Sequence, residues 1–203
     1  MDFVAIDFET ATSNPQSICS MGICVVKDNR VTETLELLIK PQPFEFNEYN
    51  IRIHGITPEM VFCKPCFSAY WEQIKPYIEG NLLVAHNASF DITALKRALD
   101  YSGIEYPEFS TLCTVQLSRK AYPDLPGHKL NELAEAFNIT FSHHNAEEDA
   151  YACAKVLLQI IDDFKIEKPE DFEAVFGIAP GAVYPGCDDE KKEKSKKKKR
   201  RCS

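Results

Sequence analysis

The stretch that most constrains this chain is Phe3-Val4-Ala5-Ile6-Asp7-Phe8-Glu9-Thr10. Its apolar start reads as a strand buried on both faces. Side chains alternate along a strand, so Asp7 and Glu9 point to the same side, about two rises apart. Two carboxylates at the exit of a buried strand repel each other unless a cation lies between them. Hard divalent cations prefer carboxylate oxygens. Two solvated acids at a strand end are the plain alternative, and this stretch alone leaves both readings open.

With 203 residues and 44% hydrophobic content, the chain can bury a substantial core. No run approaches the roughly 18 apolar residues a membrane helix needs. Met1-Asp2 leads straight into the first strand. With no basic n-region or cleavable apolar segment, the expectation is an intracellular, cytoplasmic protein with no membrane association. Nine of the 23 basic residues and one of the 31 acids fall between Lys191 and Arg201, so the remainder holds 14 cations against 30 acids. So acidic a body suits a polyanion partner only where bound metal offsets the charge. The Lys-rich run reads as a solvated, disordered tail, with a phosphate tether or a localisation signal as its functional alternatives.

Eight cysteines are scattered along the chain, several in apolar surroundings such as Cys24 and Cys153. These read as reduced, buried small hydrophobes. Cys63-Lys64-Pro65-Cys66 is a lone CxxC with no second pair to complete a zinc site.

Residues 17–27 and 30–40 are β-rich runs joined by Asp28-Asn29, a hairpin signal. Residues 44–52 read as irregular, and Thr57-Pro58 as a helix start. An amphipathic helix is predicted over 67–78, bent late by Pro76. A short buried strand over 82–85 and a helix over 89–102 follow. Next come a strand over 109–114 and helices over 114–122, 129–137 and 145–164. Residues 178–186 read as irregular. Three strands followed by alternating helices and strands make a mixed α/β domain, and ligand sites in such sheets lie at the carboxyl ends of strands. The predicted organisation is a domain over 1–166, an irregular extension over 167–186 and a basic tail over 187–203.

Asp7 and Glu9 fall at such a strand end. Asp91 opens a helix after the strand over 82–85. Asp149 lies in the first turn of the long helix, five residues after His144. Four carboxylates can bind two Mg²⁺ or Mn²⁺ ions about 3.5–4 Å apart and so activate water against a phosphodiester. Such chemistry needs a base of near-neutral pKa, and an imidazole near ~6.5 has one.

Asp7-Phe8-Glu9-Thr10, His86-Asn87-Ala88-Ser89-Phe90-Asp91 and His144-Asn145-Ala146-Glu147-Glu148-Asp149 resemble the three motifs of the DEDDh 3′→5′ exonucleases. That family includes the proofreading epsilon subunit of bacterial DNA polymerase III, exonuclease X and ribonuclease T. The resemblance runs from about Asp2 to Phe164 and takes in Ile53-His54-Gly55-Ile56-Thr57. It implies a ribonuclease H-like fold, with a mixed five-stranded sheet, the first strand central and helices on both faces. It implies metal ligands at Asp7, Glu9, Asp91 and Asp149, and the general base at His144. It puts Phe8, Thr10, Ile53, His54 and Phe90 around the terminal nucleotide, with Asn87 ordering the loop before Asp91. The implied partners are nucleic acid 3′ ends, single-stranded DNA first and RNA second, and a polymerase. After Thr10 the chain has Ala11-Thr12 where the epsilon-like pattern commonly has Thr-Gly, which leaves the contacts to the terminal sugar open.

Two other function classes compete. One is a nucleic-acid or polymerase-binding module that kept the fold without the chemistry. The other is a two-metal phosphatase of small nucleotides. His86 reads equally as a structural histidine, His54 as a loop anchor, His128 as a surface residue and Trp71 as core. His143 adjoins His144 and is a partial substitute for it as base.

Overall fold

The computed structural model describes residues 1–187. The Lys-rich run 191–201 lies outside the described residues. Cys187, the first residue of the predicted tail, is described and buried. Among the described residues no helix is long and apolar enough to cross a membrane.

The chain opens with a meander of β1 (Phe3–Thr10), β2 (Ile18–Lys27) and β3 (Arg30–Leu38). Asp28 and Asn29 both adopt positive φ (49° and 58°), the two-residue turn that matches strand twist. Helices α1 (Glu48–His54), α2 (Pro58–Val61) and α3 (Phe67–Ile78) lead to β4 (Leu82–Ala85) and α4 (Ser89–Ser102). Then come β5 (Phe109–Cys113), α5 (Thr114–Ala121), α6 (Leu130–Ala136), the long α7 (Ala146–Phe164), α8 (Asp171–Phe176) and β6 (Gly181–Val183).

The sheet has six strands in the order β3-β2-β1-β4-β5-β6. β1 is interior, antiparallel to β2 and parallel to β4. One strand more than the predicted five is present. The addition, β6, pairs antiparallel with the edge of β5 inside the segment read as irregular. Three residues flanked by Pro180 and Pro185 carry no alternation to read. Their partner strand defines them, and Val183, opposite Phe109, is buried. α1 corrects a second expectation. It begins within residues 44–52, which read as irregular, and it buries no residue and so carries no apolar stripe. It is fixed instead by its ends: Asn47 accepts a hydrogen bond from the Tyr49 N–H at 2.8 Å, and Gly55 stops the helix at φ 73°.

Alternation along β1 divides the core. Val4, Ile6 and Phe8 join Trp71, Ile74, Leu95 and Leu99 of α3 and α4 on one face. Phe3 and Ala5 join Ala150, Cys153, Leu157 and Ile160 of α7 on the other. The same alternation carries Asp7 and Glu9 to the α7 face. α7 lies close against the sheet because residue 22 is glycine: a Cβ there would overlap the Ala146 carbonyl. Asn145 caps α7, accepting the Glu148 N–H at 3.0 Å. Glu36 of β3 steadies that cap, with Ser20 Oγ donating to it at 2.9 Å and Asn145 Nδ2 at 3.4 Å.

Candidate active site

The strand end, the start of α4 and the start of α7 meet at one edge of the sheet. Carboxylate oxygens of Asp7, Glu9 and Asp149 all lie within 4.8 Å of one another. Asp91 closes the group from the first turn of α4, where its Oδ1 accepts the Phe8 N–H at 3.2 Å. Asp91 and Asp149 are almost wholly buried, at 2% and 3% exposure.

Such a cluster resists ionisation. Burial, then Asp91, Asp149 and Glu9 in turn, raise Asp7 far above the usual carboxylate range. Burial and then Asp149, Asp91 and Glu36 push Glu9 up to about 8. Burial also raises Asp91, against the opposing hydrogen bond from Phe8. Asp149 is raised by burial, with the His143 hydrogen bond working against the shift. Four hard oxygen donors that repel one another fit a divalent cation, whose charge removes the penalty. Asp7, Glu9, Asp91 and Asp149 are the residues that could hold it.

The histidines stand on a turn just before α7. His144 has a left-handed backbone, φ 69°. Its N–H donates to Asp149 Oδ2 at 2.8 Å. His143 Nδ1 lies 2.7 Å from Asp149 Oδ1, and the two imidazoles stack at 3.9 Å between centroids. The ring bound to Asp149 is therefore that of His143, while His144 reaches the same carboxylate through its backbone. Burial lowers the pKa of His144, and the neighbouring His143 lowers it further.

The remaining expected site residues divide. Asn87 and Phe90 line the cleft, Asn87 with φ 71° and Phe90 with 41% of its surface exposed. Phe8 borders the cleft, but its ring is buried on the opposite face of β1. Thr10, Ile53 and His54 are not among its lining residues. His54 braces α1 against β1. Its Nδ1 accepts the Ile56 N–H at 3.0 Å, so the proton is on Nε2, 3.3 Å from the Thr10 carbonyl. Asn50 Nδ2 donates to that same carbonyl at 2.9 Å.

The cleft holds about 910 Å³ and extends past the acids to a second wall at α5 and the turn before α6. Arg119, His128 and Lys129 belong to that wall, and none was singled out from the sequence as a site residue. His128, read as a surface histidine, is half-buried with Nδ1 3.1 Å from Ser118 Oγ. His86 lies between the walls, with Nδ1 2.9 Å from Thr114 Oγ1. Burial above all drops its pKa to about 4, so the ring is neutral at physiological pH.

The fold is a mixed sheet with helices on both faces and a carboxylate cluster at the carboxyl end of an interior strand. The exonuclease family model RNase_T matches residues 4–157, and the chain belongs to that family. It is 31% identical over 164 residues to a DNA polymerase III PolC-type from Caldanaerobacter subterraneus subsp. tengcongensis, covering 79% of this chain and 12% of that protein. It is 30% identical over 167 residues to the 3′-5′ exonuclease DinG of Bacillus subtilis, covering 80% of this chain and 18% of that one. The chain thus spans less than a fifth of the length of these relatives. Among solved structures, exonuclease X in complex with 5′ overhanging duplex DNA superposes with a TM-score of 0.65 at 24% identity, covering 81% of this chain and 94% of that one. The nuclease domain of 3′hExo, a DEDDh family member bound to rAMP, gives 0.66 at 17% identity, covering 80% and 92%.

Proposed function

We propose that this chain is a metal-dependent 3′→5′ exonuclease. It hydrolyses phosphodiester bonds from the 3′ end of single-stranded DNA, or of RNA, and releases nucleoside 5′-monophosphates. The carrying observation is the convergence of acids from β1 and α7, with the oxygens of Asp7, Glu9 and Asp149 within 4.8 Å of one another, and with Asp91 of α4 hydrogen-bonded to the same strand at Phe8. Two Mg²⁺ or Mn²⁺ ions held by Asp7, Glu9, Asp91 and Asp149 would supply a Lewis acid for the scissile phosphate, a lowered pKa for water and charge for the leaving oxygen.

The chain's own residues do the rest. His144 takes the proton of the attacking water on its imidazole, which is neutral at physiological pH with its pKa held low. Asp149 orients the turn that carries it. Phe90 offers an exposed ring at the cleft edge for the terminal base, and Asn87 sets the loop before it. The relative named as a DNA polymerase III is the ground for expecting a polymerase partner.

A short single-stranded oligonucleotide, labelled at the 3′ end in one assay and the 5′ end in another, tests the reading. With Mg²⁺ or Mn²⁺ the 3′ label should leave at once as a mononucleotide, while the 5′-labelled strand shortens stepwise. Chelation should stop both. Release of the 5′ label first, internal cuts, or equal rates in EDTA would contradict it.

A further inference from the structure

The two walls of the cleft carry opposite charge. One is the carboxylate cluster. The other carries Arg119 near the end of α5 and Lys129 just before α6. Both side chains are exposed, and neither has an ion-pair partner among the described residues. The wall is braced. His128 meets Ser118 at 3.1 Å, one residue before Arg119. Glu132 also lines this wall, and its Oε2 accepts the Lys129 N–H at 2.8 Å, which fixes the turn. Among the described residues, Arg119 and Lys129 are the only Lys or Arg side chains that line the cleft.

A strand whose last phosphodiester lies at the carboxylates must carry its next phosphates out along the same cleft. Those phosphates need cations, and the acid wall has none. We propose that Arg119 and Lys129 form a phosphate-tracking subsite for the backbone just 5′ of the scissile bond. The proposal rests on the nuclease reading above. Arg119 also ends a helix, where a cation complements the helix dipole. Lys120 shares that position in α5 but does not line the cleft, so it separates the two roles.

The test is anisotropy of a fluorescein-labelled single-stranded oligonucleotide, bound with Mg²⁺ to the full chain carrying Asp149→Asn to suppress turnover. Each phosphate contact to a single strand adds about 0.7 to the slope of log affinity against log salt. Arg119→Gln with Lys129→Gln should therefore flatten the slope by about 1.4, with an unchanged thermal melt. Lys120→Gln should leave the slope unchanged. With Asp149 restored, the paired variant should raise KM for the oligonucleotide and spare kcat. A slope and KM equal to the parent's, an equal loss from Lys120→Gln, or no measurable binding by the parent overturns the subsite. If the nuclease reading alone fails, no protein degrades the strand, yet the difference in slope persists.

Discussion

The carboxylates and the histidines of the cleft are held in opposite ways. Asp7 and Glu9 belong to an interior strand paired in register with β2 up to a shift just after Glu9, and Asp91 and Asp149 are buried in the first turns of packed helices. Their positions follow from the core. His143 and His144 stand exposed on a turn, one of them with a left-handed backbone. Both are tied by hydrogen bonds to a single carboxylate, Asp149. The difference separates four acids placed by packed elements from two imidazoles placed by a turn.

The largest expected effect falls on the acid half. Asp7→Asn or Asp149→Ala should take hydrolysis below detection. Asp7→Asn removes one of several repelling carboxylates and should not destabilise the metal-free fold, whereas Asp149→Ala also removes the acceptor that both histidines share. In EDTA near pH 8, Asp7→Asn should melt higher than wild type, by about 2–4 °C for each kcal/mol of relieved repulsion. A lower melt with retained cleavage would break the comparison. Next comes the imidazole half. His144→Ala should keep metal and strand binding but slow single-turnover cleavage by roughly 10²–10⁴-fold, the usual contribution of a general base. His143→Ala, which removes the ring bonded to Asp149, should cost less. An active His144→Ala beside a dead His143→Ala would move the base by one residue. The smallest effect tests how the halves are joined. Gly22→Ala must push α7 off β2, at a cost of about 1–3 kcal/mol for overpacking, with a rate loss because Asp149 and both histidines move with the helix. A wild-type melt and rate in that variant would show that the contact does not set the site.

What the sequence disclosed follows the same division. The apolar run that ends in Asp7 and Glu9 marks a central strand and the direction of its acids, because alternation is a local property. Asp28-Asn29 and Thr57-Pro58 likewise carry their own turn and cap signals. α1 was hidden because it buries nothing, and β6 because three residues acquire an identity only from β5. The need for glycine at position 22 is invisible in sequence, since it depends on a helix more than a hundred residues later. Motif resemblance grouped Thr10, Ile53 and His54 with the nucleotide. In the structure, His54 and Asn50 meet the Thr10 carbonyl and so tie α1 to β1, and none of Thr10, Ile53 and His54 lines the cleft. The basic wall was missed for a different reason. Arg119, His128 and Lys129 are separated by a loop, and only folding gives them a common cleft.

The central claim is that the acid cluster is a cation site, and thermal melting against pH, with and without Mg²⁺ or Mn²⁺, tests it most directly. Glu9 titrates at its ordinary value of 4.5 when unfolded and at about 8 when folded. The folded state thus keeps a proton that the unfolded state has released. That contribution to stability is complete below about pH 4.5 and is lost as pH climbs through 8. In EDTA the melting temperature should fall over this window. A cation bound only by the folded state should restore it, by an amount that grows with concentration. A metal-free melting temperature that is flat across the window, and unmoved by either cation at pH 8, would contradict the account.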